Sequence, residues 1–155
     1  MPADGLRHAS GEGLCNVSVV AEDIVRWDGC YDDNWRDLIT PESFCHPAKM
    51  ARGLVVRIFD ELFALGALRV GDVVCDPFGG IGSTGVTAAP LGLRFIGCEL
   101  EEKFVTLARQ NFELHRRDWE AMGYPQPVMV LGDSRQLRQH VGPVLADAVV
   151  NSPPF

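Results

Sequence analysis

The chain has 155 residues, 46% of them hydrophobic, with 21 acidic residues against 14 Lys and Arg and a net charge of −7. That length and composition suit one globular domain with a real core, and the acidic balance advertises no basic face, so any phosphate-gripping surface is weak or lies elsewhere. No run approaches the roughly 20 apolar residues of a membrane helix, and the start "MPADGLRHAS" lacks the features of a signal peptide, so a soluble, cytoplasmic protein is expected.

The first 45 residues carry nine acids and three bases, so nearly all of the net charge sits there. Residues 1–39 read as an acidic, partly loose extension, with "ASGEG" as a flexible patch. Within it, Trp27, Tyr31 and Trp35 recur every fourth residue, an aromatic stripe suited to a short helix that Gly29 weakens. Packing against the domain is the simpler reading of these aromatics. In "TPESFCHPAKM" a cap and turn at Thr40–Glu42 lead to a helix expected from Pro47 to Leu65. Met50, Leu54, Val55, Ile58, Phe59 and Leu62 form its apolar face, and Gly66 stops it.

From there the pattern alternates. "DVVCD" predicts a strand ending at Asp76, and "STGVTAAPLG" a helix broken by Pro90 and Gly92. "RFIGCEL" predicts a strand ending near Glu99. The next 23 residues predict a long amphipathic helix with Phe104, Leu107, Ala108, Phe112 and Leu114 among its apolar positions. "PVMVLGD" predicts a third strand ending at Asp133, "SRQLRQHVG" a short helix, and "ADAVVNSPPF" a fourth strand. Such alternation specifies an α/β fold with a mostly parallel sheet. Ligands of such sheets bind outside the carboxyl ends of the strands, where Asp76, Glu99, Asp133 and Ser152 fall. Five cysteines without a C-x-x-C pair and four histidines without zinc spacing give no expectation of a metal.

"DPFGGIGSTG" contains Gly80-x-Gly82-x-x-Gly85, which matches the dinucleotide fingerprint, with Glu99 at a fitting distance. Chemistry argues against that ligand. The turn of a dinucleotide site faces a pyrophosphate, and Asp76 at its head would repel it. The preferred ligand offers Asp76 a cation and no phosphate, as S-adenosylmethionine does with its ammonium and sulfonium. Glu99 would accept from the ribose hydroxyls, and Asp133 from the adenine amino group, where Gly132 lets the backbone come close.

With these motifs in view, residues 40–155 resemble the DNA amino-methyltransferases. The glycine loop looks like their cofactor loop, "FCHPAKM" resembles their additional H-P-x-K cofactor segment, and "NSPPF" looks like their catalytic tetrapeptide. The resemblance implies a Rossmann-like S-adenosylmethionine-dependent fold, with an incomplete C-terminal edge in this chain. It implies a cofactor site of His46, Lys49, Asp76, Phe78, Gly80, Gly82, Ser83, Thr84, Glu99 and Asp133. His46 would enter the helix near the cofactor. Lys49 is either a solvated helix charge or a guide for the methionine carboxylate.

The family methylates exocyclic nitrogens of adenine or cytosine in DNA. Ser152 and the carbonyl of Pro153 would accept from the target amine, Pro153 and Pro154 would stiffen the turn, and Phe155 would stack on the flipped base. Cytosine C5 chemistry needs a cysteine, typically after a proline, and none of the five follows one. Ser152 is similar to the "SPP" form frequent in cytosine-N4 enzymes, whereas a role for Asn151 would favour adenine. Such enzymes continue with further strands and a DNA-reading region. The chain is therefore expected to be the cofactor-binding portion, weakly binding and poorly active alone. No residue supports a complementing second polypeptide. An NAD-dependent oxidoreductase, a non-catalytic interaction fragment and an RNA or small-molecule methyltransferase stand as alternatives.

Overall fold

The computed structural model describes residues 26–143 and 145–152. After a 3-10 turn at Pro41–Cys45, the elements are α1 (Arg52–Ala64), β1 (Val73–Asp76), α2 (Ser83–Ala88), β2 (Arg94–Glu99), α3 (Glu102–Met122), β3 (Val128–Leu131), α4 (Leu137–Val141) and β4 (Ala148–Val149). The four strands form one sheet in the order β3-β2-β1-β4, and every pairing is parallel. This is the Rossmann-like arrangement. β1 is central and buried throughout, which explains why it reads as a continuous apolar run. The chain winds outward from β1 through β2 to β3, then returns to the other side of β1 as β4. That reversal opens a crevice at the carboxyl end of β1.

One core joins the sheet to its helices. Phe59, Val74, Phe95, Ala108, Phe112 and Trp119 are among its buried members. On α3 the buried positions are Phe104, Val105, Ala108, Asn111, Phe112 and Trp119, a single helical stripe. Leu114, expected on that face, is instead 54% exposed. Two residues beyond Phe112 is about 200° around the helix, so it points away. Met129 on β3 fills the space of two absent side chains: a Cβ on either Gly79 or Gly97 would meet its Cε at 2.7 Å.

Two expectations near the start of the described residues need correction. Trp27, Tyr31 and Trp35 share no helix; Gly29, with φ +73°, lies in a run of turns and bends. Only Trp35 packs fully, with its indole N–H donating to the Met50 carbonyl at 3.0 Å; Tyr31 is exposed. Trp35 and Ile39 belong to the common core, although both lie in the stretch read as an extension. The helix expected from Pro47 begins only at Arg52. The Met50 carbonyl is held by Trp35, and the Lys49 ammonium bonds back to the Phe44 and His46 carbonyls, so residues 46–51 are tied into a loop. The far end is as expected. Gly66, at φ +68°, donates to the Phe63 carbonyl while Ala67 donates to Leu62, a paired closure that needs the left-handed conformation.

α2 lies close on the sheet because Gly85 has no side chain: a Cβ there would stand 2.6 Å from Phe95 and 3.0 Å from Phe112. Gly85→Ala should therefore destabilise the chain by about 1–3 kcal/mol, measured by chemical denaturation. A wild-type transition midpoint would show that α2 does not pack at this distance.

Candidate cofactor and active site

Three carboxylates arrive at one edge of the sheet because three parallel strands end there, each acid standing two residues beyond the partner of the one before. Asp76 closes β1 opposite Gly97, Glu99 closes β2 opposite Leu131, and Asp133 follows β3 by two residues. All three line a cavity of about 890 Å³, within the span of roughly 300–1,000 Å³ usual for small-molecule sites. The cavity also takes in His46, Lys49, Phe78, Gly80, Ser83, Thr84 and, past β4, Ser152. Gly82 does not line it. That glycine instead turns the chain into α2 at φ +75°, and a Cβ on it would strike Phe112 at 2.7 Å. Pro153, Pro154 and Phe155 lie outside the described residues.

The glycine loop gives its amides to its own neighbours. Phe78 N–H donates to Asp76 at 3.0 Å, Gly79 N–H to the Cys98 carbonyl at 2.8 Å, Gly80 N–H to Glu99 at 2.9 Å, and Gly82 N–H to the Gly79 carbonyl at 2.8 Å. A diphosphate would need such amides free and aimed at it. Here they are engaged, and two of them hold carboxylates toward the cavity instead. Carboxylates held in this way suit a ligand that brings cationic and hydroxyl groups.

Asp76 is 3% exposed, and burial pushes its carboxyl up to about 6. Bonds from the Thr84 hydroxyl (2.8 Å) and Phe78 N–H oppose that rise, and the nearby Glu99 charge adds to it. A buried carboxylate short of positive charge is a receptor for a cation. Glu99 accepts from the Glu101 N–H with its other oxygen, at 2.9 Å, which keeps both oxygens at the cavity wall.

Asp133 is differently placed. Arg135 clamps it through its backbone N–H, its Nε and its Nη2. The side-chain hydrogen bonds from Arg135 first, and its backbone N–H second, hold the Asp133 carboxyl down to about 2. The guanidinium is largely exposed, so it can swing away and free an acceptor.

The opposite wall is the 3-10 turn and the loop after it. The His46 ring meets Phe104 edge-on at 4.3 Å, and its buried Nδ1 has no hydrogen-bond partner. Burial lowers the His46 pKa, Lys49 and Lys103 lower it further, and Glu99 and Glu101 pull the other way. A Cβ on Gly80 would stand 3.2 Å from the same ring, so the glycine lets the two walls approach. His46 stands in this loop and not at a helix entry. Lys49 is no helix charge either: its ammonium closes the turn at the Phe44 and His46 carbonyls, 3.1 and 2.9 Å away. One N–H remains for a ligand.

Sequence reasoning missed Asn111. It is fully buried on α3, accepting from the Thr40 N–H (2.8 Å) and the Ser43 hydroxyl (3.1 Å) and donating to the Ile81 carbonyl (2.8 Å). Its signal was present: an amide between Ala108 and Phe112 on the apolar stripe of an amphipathic helix.

A parallel α/β sheet whose strand ends present acids to one crevice, beside a glycine loop that leads into a helix, defines a nucleotide-fold site for a ligand that brings positive charge. The chain belongs to the DNA methylase family, whose model matches residues 11–110. It is 40% identical over 68 residues to the Type II methyltransferase M2.DpnII of Streptococcus pneumoniae, covering 44% of this chain and 24% of that protein. It is 34% identical over 83 residues to the Type II methyltransferase M2.LlaDCHI of Lactococcus lactis subsp. cremoris, covering 51% and 29%. The chain thus matches about a quarter of the length of these curated relatives. Among solved structures, MtNAS in complex with MTA and tNA shares the fold at 16% identity and a TM-score of 0.50, covering 81% of this chain and 46% of that one.

The elevated Asp76 carboxyl carries a sign. Its folded pKa lies above the ordinary value near 3.9, so the folded chain holds the proton more tightly than the unfolded one. Its contribution to stability is fully present below about pH 4 and is lost as pH rises through about 6. The loss is on the order of 3 kcal/mol. Thermal melts from pH 4 to 7 should show this decline flattened in Asp76→Asn. Equal slopes in the two proteins would mean that the carboxyl titrates normally.

Proposed function

We propose that the cavity at the carboxyl ends of β1, β2 and β3 binds S-adenosylmethionine, and that the protein carrying this segment methylates an exocyclic amino group in DNA. The observation that carries the first part is the closed glycine loop, with its amides held by Asp76, Glu99 and main-chain carbonyls. Family membership supports the second. When bound, the cofactor supplies a methyl group on a sulfonium, an electrophile that needs no covalent enzyme intermediate. We assign residues 40–155 to the catalytic domain, joined by Trp35 and Ile39 from the acidic stretch before it, which pack into its core.

The chain's own groups divide the work by position. Asp76 would hold the ammonium of the methionine end, and Lys49, with its remaining N–H, the carboxylate. Glu99 would accept from the ribose hydroxyls. Asp133, once Arg135 withdraws, would accept from the adenine amino group. Phe78, 42% exposed beside the loop, offers an apolar surface to the purine. Ser152, at the cavity edge, is where an amine target would meet an acceptor. Together with the carbonyl of Pro153 it would hold the two N–H groups and aim the nitrogen lone pair, and positioning of this kind supplies much of a barrier reduction. The Ser-Pro-Pro pattern favours cytosine N4 over adenine N6 as the target. The chain matches about a quarter of the length of its curated relatives, so the methylation proposed is that of the whole protein.

Calorimetry decides between this reading and a nicotinamide dinucleotide site. S-adenosylmethionine should give a saturable isotherm and NADH none. Asp76→Asn should weaken binding by at least about tenfold, the cost of roughly 1.4 kcal/mol of lost attraction. Since the cation pairs with the ionised carboxyl, wild-type affinity should climb as pH rises to about 6 and then level off. Tight NADH uptake with indifference to the sulfonium would overturn the proposal. Methyl transfer is read by mass spectrometry of nucleosides from treated duplex DNA, with N4-methylcytosine expected ahead of N6-methyladenine.

A further inference from the structure

We propose that Asn111 is a positioning residue of the cavity: without touching the ligand, it sets the distance between the glycine loop and the His46 wall. The inference rests on the reading of the cavity as an S-adenosylmethionine site. Asn111 is 0% exposed, in the middle of α3. Its Oδ1 takes two donors from the His46 side, the Thr40 N–H and the Ser43 hydroxyl. Its Nδ2 donates a hydrogen bond to the carbonyl of Ile81, which sits between Gly80 and Gly82. Among the described residues it is the one side chain hydrogen-bonded to both walls.

The rest of α3 reinforces this geometry. Phe104, one side of the His46 contact, lies seven residues before Asn111 on the same stripe. His115, four residues after it, bonds the Leu38 carbonyl at 2.8 Å. Phe112 limits how near Gly82 and Gly85 come. The 40–46 segment and the loop are thus both measured from one helix, and the amide at Asn111 is where the two measurements meet. Its orientation is fixed by chemistry: reversed, the amide would set its NH2 against the Thr40 N–H and its oxygen against the Ile81 carbonyl. An apolar residue of the same size would leave the Thr40 N–H and Ile81 carbonyl without partners in a dry place, and the Ser43 hydroxyl with only the Thr40 hydroxyl, 2.9 Å away. They would regain partners only by moving the walls, and displacements near 1 Å can cost about a hundredfold in function.

Asn111→Ala and Ser43→Ala are compared with Val105→Ala, a core truncation on the same helix with no bond to either wall. Affinity for S-adenosylmethionine is measured below the melting range of each, beside thermal stability. Asn111→Ala should lower affinity by about tenfold or more and Ser43→Ala by about two- to threefold. Val105→Ala should change it less than about twofold even where it lowers Tm as far. If affinity merely follows Tm across the three, Asn111 is structural only and the proposal is wrong. Should Asn111→Ala fail to fold, wild-type affinity in Ser43→Ala overturns it. If the wild-type chain takes up no S-adenosylmethionine, the cavity reading falls, and the brace is judged in the ligand-free protein by NMR. The Gly80 amide and His46 ring resonances should then move together in Ser43→Ala and Asn111→Ala but not in Val105→Ala; unmoved resonances overturn the brace.

Discussion

The hydrogen bond from the Gly80 amide to Glu99 is the contact on which the site's chemistry turns. It links the loop after β1 to the end of β2. In doing so it removes a phosphate-binding donor and fixes a carboxylate in one move. With Phe78 bonded to Asp76 and Gly79 to the Cys98 carbonyl, the loop becomes a rigid frame for acids. A glycine pattern that in other proteins presents bare amides to anions here presents oxygen atoms to cations and hydroxyls. The sign of the preferred ligand follows from these few bonds.

The cost of that frame falls on Asp76. Burial raises its carboxyl pKa, the Glu99 charge adds to the rise, and no positive group among the described residues offsets it. Asp133 shows the opposite solution, with Arg135 supplying the charge from two residues away. The two acids at one cavity therefore wait in different states. Asp76 is left without a charged partner by its surroundings, whereas Asp133 already holds one.

Much of this was legible in the residues. The four strands were readable because each is a short apolar run ended by a polar residue, and the parallel order followed from the helices between them. The three carboxylates were found because strand ends are where such sheets bind ligands. What escaped was set by contacts distant in sequence. The start of α1 slips to Arg52 because the Trp35 indole takes the Met50 carbonyl, a bond across 15 residues that periodicity cannot show. Asn111 joins Thr40 and Ile81 across 71 and 30 residues, so its neighbours mark a polar residue on an apolar stripe but not the partners it holds. Gly82 was read as a ligand contact, yet its work is to turn the chain beneath Phe112.

Met129 ties three positions into one unit of inheritance. Its terminal methyl occupies the room that side chains at both 79 and 97 would need. Alanine at either glycine would push that methyl aside, so the end of the Met129 side chain must swing to make room. Drift in the loop after β1 is therefore coupled through one thioether to drift in a strand more than thirty residues away.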